Sequence, residues 1–315
     1  MKLTCIDSKI TTETVALSDK TFMELRSVKN RLFVNCLDPA NLGKSCVFEL
    51  VGIHSFINEG SSSFKVVTPT DANVRSAVHE YGGGSFLPLS LLGDAVKIIY
   101  TDYSLDHRLF VTSVDDDPTT DEASPVSIAT PPATRFADFC HDEKRCRILC
   151  IMEDHTDPRP DAVVNCVVSI SILDIYPIDH GANTSSSVHR HMHIIAQGND
   201  FYATPTLSPN GNFVAFTTWN HPNMPWYTTT IGIQKLDDTT GEPLEGQLLT
   251  VPSHLPSSIV EPRWWTDETL VYISDETGWF NLYSWDIPTT PNNEPPPPPT
   301  CLFKKDAEFS DAHHG

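Results

Sequence analysis

The sequence predicts an all-β fold: a β-propeller of four-stranded blades, about five of them present, and incomplete as it stands. Three observations carry this. Helical periodicity is scarce, and short β-rich runs recur between Gly, Pro, Asn and Asp. Twenty-five prolines and turn signals such as Ser208-Pro209-Asn210-Gly211 punctuate the chain. The third observation is internal repetition. Arg135-Phe136-Ala137 returns as Phe201-Tyr202-Ala203, and the Asp154-His155 that follows it as Asn220-His221. Pro205, Leu207, Asn210 and Phe213-Val214 return as Pro262, Trp264, Asp267 and Leu270-Val271. Units of about 40–50 residues, lengthened by loop insertions, fit propeller blades.

Taken in order, the blades fall near 10–60, 75–130, 134–197, 200–252 and 258–304. The first rests on the apolar run 31–34, the second on runs 96–100 and 109–114. Runs 147–152, 163–173 and 193–196 build the third, 213–218 and 229–235 the fourth, 270–274 and 282–285 the fifth. Low-complexity stretches sit between strands. Asp115-Asp116-Asp117 with Asp121-Glu122 reads as a solvated loop, and Ser185 to Ser187 as a polar insertion. The prolines Pro295 through Pro299 favour polyproline II, read first as an insertion in the last blade's hairpin. They also suit a proline-binding adaptor as partner.

With 21 Lys plus Arg against 41 Asp plus Glu, the formal charge is −20. Nucleic acid and anionic membrane surfaces are therefore poor partners, since phosphate binding needs a basic face. The first twenty residues hold no apolar signal region, and no apolar run reaches the roughly 20 residues of a membrane span. Eight cysteines in that context read as reduced thiols in a cytoplasmic protein. The sequon Asn183-Thr184-Ser185 matters only in a secreted chain and is discounted.

Chemistry is hard to find in these residues. No G-x-S-x-G elbow, Walker loop, H-E-x-x-H or paired C-x-x-C occurs. Gly82-Gly83-Gly84 lacks the context of a phosphate-binding loop. Cys140-His141, Cys146 and Cys150 are the nearest approach to a metal cluster, with Cys140 in a turn and Cys146 and Cys150 on one strand face. His189, His191 and His193 alternate on a predicted outer strand, where a polar face is expected. No metal or cofactor is expected at either place. Glu80, Asp138 and Glu261 are carboxylates on predicted inner strands, and no pair of them is singled out.

Several segments resemble the prolyl oligopeptidase family of serine peptidases, in its acylaminoacyl-peptidase-like and dipeptidyl-peptidase-like branch. They are Asn73-Val74-Arg75, Val78-His79-Glu80-Tyr81-Gly82-Gly83-Gly84, Ile151-Met152-Glu153-Asp154-His155 and Asp200-Phe201-Tyr202-Ala203-Thr204-Pro205. Thr218-Trp219-Asn220-His221-Pro222-Asn223-Met224-Pro225-Trp226 and Ser274-Asp275-Glu276-Thr277-Gly278-Trp279-Phe280-Asn281 complete the set. The resemblance runs from near Ile10 to Ala307-Glu308-Phe309. It implies a propeller domain over 1–315, truncated near its C-terminal blades, with the α/β-hydrolase domain and its Ser, Asp and His absent from these residues. A chain stopping inside a blade would leave unpaired strand edges.

The function this implies is non-catalytic: the propeller caps the active site of a serine peptidase and limits access of peptide substrate. Substrate-binding candidates are Glu80, Tyr81, Arg75, His221 and Trp226. Glu80 stands beside the three glycines, placed to attract a peptide amino group or to pair with Arg75. The turns at 153–161, 220–226 and 275–280 occupy equivalent places in successive blades and should share one rim. A stand-alone interaction scaffold is the alternative, and a glycosidase acting through channel carboxylates is a third reading.

Overall fold

The computed structural model describes residues 20–51, 63–90, 95–115, 125–173, 192–253, 256–288 and 296–310. Among them, twenty strands build five four-stranded antiparallel sheets, each in chain order. The first is β1 (Thr21–Val28), β2 (Arg31–Asp38), β3 (Lys44–Val51) and β4 (Ser63–Val66). The second is β5 (Phe86–Ser90), β6 (Val96–Asp102), β7 (Arg108–Ser113) and β8 (Val126–Ile128). The third is β9 (Thr134–Asp142), β10 (Arg147–Asp154), β11 (Val164–Ser171) and β12 (Met192–Gln197). The fourth is β13 (Phe201–Leu207), β14 (Phe213–Trp219), β15 (Thr230–Leu236) and β16 (Pro243–Thr250). The fifth is β17 (Ile259–Trp264), β18 (Thr269–Ser274), β19 (Asn281–Asp286) and β20 (Thr300–Phe303).

Burial follows strand position. The second strands read as unbroken apolar runs because sheets cover both their faces. In β10, Arg147 through Glu153 are all buried. The outermost strands are wet, as in β16, where Glu245 to Leu248 are exposed. The core is a series of layers between neighbouring sheets. Phe33, Val47, Phe86 and Tyr100 fill the first layer, and Leu89, Ile99, Phe136 and Ile148 the second. Leu149, Tyr202, Val214 and Phe216 fill the third, and Ile231, Tyr272, Tyr283 and Trp285 the fourth. Each such side chain contributes about 1.5–3 kcal/mol on burial.

The inner strands β1, β5, β9, β13 and β17 pack each against the next, the arrangement of a five-bladed propeller. Among the described residues β17 and β1 do not meet to that extent. Four inner strands carry a β-bulge: β1 at Phe22/Glu24, β9 opposite Leu149/Ile151, β13 at Ala203/Thr206 and β17 at Val260/Arg263. At the last three, Asp138, Thr204 and Glu261 take positive φ of 56°, 49° and 56°. Two of these bulged strands aim a carboxylate at a neighbouring blade. Asp138 accepts from the backbone N–H groups of Gly84 at 2.6 Å and Thr204 at 2.8 Å, tying three blades. Glu24 does the same for Ser85 at 2.9 Å. Gly83 is required by geometry: its φ is +155°, and a Cβ there would lie 2.7 Å from that of Ala137.

Blade ranges agree with the sequence reading, while several local expectations need correction. The fifth sheet has all four of its strands. Residues 79–84 are not an inner strand. Val78–Glu80 is a single 3-10 turn, His79 and Glu80 have φ of 56° and 68°, and β5 begins only at Phe86. Consecutive left-handed residues cannot extend a strand. Cys140 lies in β9 rather than a turn, Cys146 ends the turn before β10, and Cys150 is buried within β10. Among the described residues no three His, Cys, Asp or Glu side chains converge in metal-binding geometry. His193 is on the outer strand β12 and faces Glu242 at 3.2 Å; His189 and His191 lie outside the described residues. So do the sequon, the serine insertion, Asp116, Asp117, Asp121, Glu122 and Pro295. The proline run enters β20, as a hairpin insertion should, and the Pro297 carbonyl accepts from Trp285 Nε1 at 2.8 Å. No described helix is long and apolar enough to cross a membrane.

Candidate functional site

Turns between second and third strands all emerge on one rim, here the upper one: 39–43, 103–107, 155–163, 220–229 and 275–280. The turns between first and second strands, such as 143–146 and 265–268, form the lower rim. The connection from β4 to β5 crosses the upper rim and brings His79, Glu80 and Tyr81 over blades three and four.

Glu153, at the upper end of β10, organises what gathers there. Its side chain is 4% exposed. One oxygen accepts the His79 backbone N–H at 2.7 Å, and the other meets His155 Nε2 at 3.0 Å. Arg135 Nη1 lies 3.8 Å from that second oxygen, donates to Glu80 Oε1 at 2.7 Å and to the Ala77 carbonyl at 2.8 Å. Arg135 thus bridges a buried carboxylate and an exposed one, since the Glu80 side chain is 77% exposed. Of the two carboxylates only that of Glu80 faces solvent.

Aromatic rings continue the site toward the fourth blade. The His79 ring sits 5.8 Å from Tyr81, 5.4 Å from Phe201 and 5.2 Å from Trp219. Phe201 stacks on Trp219 at 5.2 Å and meets His221 edge-on at 4.9 Å. His79 Nε2 is buried and makes no hydrogen bond. Burial holds the His79 imidazole below its ordinary range, against the pull of Glu153 and Asp138, so the ring is neutral near pH 7. Burial also lowers His107, assisted by Arg135, and raises the Tyr81 phenol.

The five residues singled out from sequence therefore separate into groups. Glu80, Tyr81 and His221 belong to one continuous assembly, joined through His79, Phe201 and Arg135. Arg75 is on the same rim but does not reach Glu80; its guanidinium lies over the Tyr103 ring at 5.5 Å. Trp226 is in the 220–229 turn, 46% exposed, further out along the rim. The organising residues Glu153, Arg135, His155 and His79 were not chosen from sequence. Glu153 and His155 carried a signal, two residues apart at a strand end. Arg135 carried none, because its partner is 55 positions away.

Such a rim offers an exposed carboxylate held in place by a guanidinium, flanked by aromatic rings: a surface that suits a cationic amino group next to an apolar side chain. Among the described residues it contains no nucleophile paired with a base.

No protein-family model matches this sequence, and no curated protein does. Solved structures do. A Mycobacterium tuberculosis puromycin-hydrolyzing peptidase is 24% identical with a TM-score of 0.74, over 95% of this chain and 41% of that one. Puromycin hydrolase gives 22% identity and a TM-score of 0.79, over 96% of this chain and 42% of that one. A mutant of puromycin hydrolase complexed with PGG gives 22% and 0.80, over 97% and 42%. The chain spans about two fifths of the length of these solved proteins, and its fold is that of their propeller portion.

Proposed function

We propose that this chain is the propeller portion of a cytoplasmic serine peptidase of the prolyl oligopeptidase family, and that its upper rim meets the peptide. The propeller itself is non-catalytic. It admits substrate to a hydrolase domain that performs acyl transfer with Ser, His and Asp. The observation that carries this reading is the agreement with puromycin hydrolase over 96% of this chain at a TM-score of 0.79. The rim supports the rest: Glu80 is exposed and held by Arg135, with Tyr81 and His221 beside it. A free peptide amino group would pair with Glu80 while its first side chain rests among the rings.

Hydroxyl-radical footprinting of the 315-residue chain with and without a short free-amine peptide tests the location. Tyr81, His221 and Trp226 should lose reactivity, whereas Trp265, 78% exposed on the opposite rim, should not. Protection at Trp265 alone, or nowhere, would refute the proposal.

A further inference from the structure

Two adjoining cavities of about 290 Å³ each lie on the face of the fourth blade turned toward the third, the upper lined by the fourth blade and Asn199 and the lower also by β12. They share Asn199, Phe216 and Leu248, and each is near the lower end of the ~300–1,000 Å³ common for ligand sites. In a chain with 62 Lys, Arg, Asp and Glu residues, not one of the cavity-lining residues carries a charge. The upper cavity is instead lined by hydroxyls and amides set on one sheet face. Thr218 of β14 pairs with Thr230 of β15, and Thr250 of β16 pairs with Gly232, two residues on from Thr230, so three threonines share one sheet face across adjacent strands, the third offset diagonally. Strand spacing of about 4.8 Å sets the Thr218–Thr230 interval and the diagonal of about 7–8 Å that from Thr230 to Thr250, and a sheet holds such a set more rigidly than loops do.

The hydroxyls are available. Thr218 Oγ1 donates to the Phe201 carbonyl at 2.8 Å and keeps its lone pairs. Thr230, Thr250, Thr228 and Asn223 make no side-chain hydrogen bond among the described residues. Gly232 has a specific part here. A Cβ at that position would lie 2.6 Å from the Phe216 ring, so the glycine lets that ring lie against β15 as the floor of both cavities. In the lower cavity, the Gln234 amide donates to the carbonyls of Lys235 and Leu244 and leaves its oxygen unused.

We infer that this cleft is a binding site for a neutral saccharide. A charged ligand would find no counter-charge and would lose its hydration for nothing. A purely apolar one would strand the threonine row. A sugar presents hydroxyls that donate and accept, matching groups that do both, and its C–H faces suit Phe216 and Leu248. An extended peptide fits less well, because the row runs across three strands rather than along the outer edge of β16. The site does not rest on the peptidase reading.

Saturation-transfer NMR on the 315-residue chain, with maltose and N-acetylglucosamine at millimolar concentration and the blocked dipeptide acetyl-Ala-Ala-amide as comparison, is the test. Transfer to ring protons of at least one sugar is expected. Thr230→Val and Thr250→Glu should each weaken it fivefold or more, with the melting temperature unchanged for the exposed Thr250. No transfer from either sugar overturns the inference, as does transfer that both variants leave intact. Binding of the dipeptide alone overturns it in favour of a peptide groove.

Discussion

Glu80 and Glu153 face the same arginine from opposite sides of the solvent boundary, and that difference decides what each does. The Glu80–Arg135 pair is exposed on the glutamate side, where such contacts contribute about 0–1 kcal/mol. Glu80→Gln should leave the melting temperature nearly unchanged and weaken binding of free-amine peptides about fivefold. Glu153 is buried and serves a backbone N–H, a histidine and an arginine. Glu153→Gln should cost about 1–3 kcal/mol in urea denaturation, because it swaps an acceptor for a donor at a buried site. His79 gives the molecule a pH dependence of defined sign. Its folded pKa is depressed below the ordinary 6.5, so the unfolded chain binds the proton more readily. The contribution is complete above about 6.5 and falls away as pH drops toward the depressed value. His107 and His141 act with the same sign. Desolvation raises the carboxyls of buried Asp102 and of half-buried Glu24 and Asp275 instead, and these lose their contribution as pH rises through the raised values. In thermal melts from pH 7.5 to 5.5, His79→Gln should therefore lose less stability on acidification than the parent chain. An equal slope in that variant would exclude His79 as a source.

At the scale of elements, the inner strands show how local sequence and tertiary contact share the work. Strand runs were legible because the second strand of each blade, covered on both faces, is an uninterrupted apolar segment. The bulges were not legible. Asp138 bends its strand to serve backbone amides 54 and 66 residues away, and nothing in a local window announces that. The same is true of residues 79–84, where strand alternation was assumed and two left-handed residues stand instead. Asp138→Ala should be costly, since the Gly84 and Thr204 amides each lose their acceptor at about 1–3 kcal/mol. Gly83→Ala should also destabilise, through strain at φ +155° and the clash with Ala137. Chemical denaturation of the two variants checks both; a loss below about 1 kcal/mol in Asp138→Ala would contradict the bridging role.

For the whole molecule, five sheets were legible from repetition, and the shared upper rim followed from strand count alone. The site was only half legible. Glu80, Tyr81 and His221 stand in sequence motifs, but the arginine and buried carboxylate that organise them come from another blade, and Arg75 went to Tyr103 instead. A surface assembled from separate blades is fixed by blade order and strand register rather than by any one motif. The central claim is that this rim recognises a peptide by its free amino end. Isothermal titration of the 315-residue chain with one tripeptide amide, with and without an N-acetyl group, is the most direct measurement. Binding of the free-amine form at least fivefold tighter than the acetylated form, with that preference lost in Glu80→Gln, is the predicted result. Equal affinity for the two forms, or a preference that persists in Glu80→Gln, would contradict it.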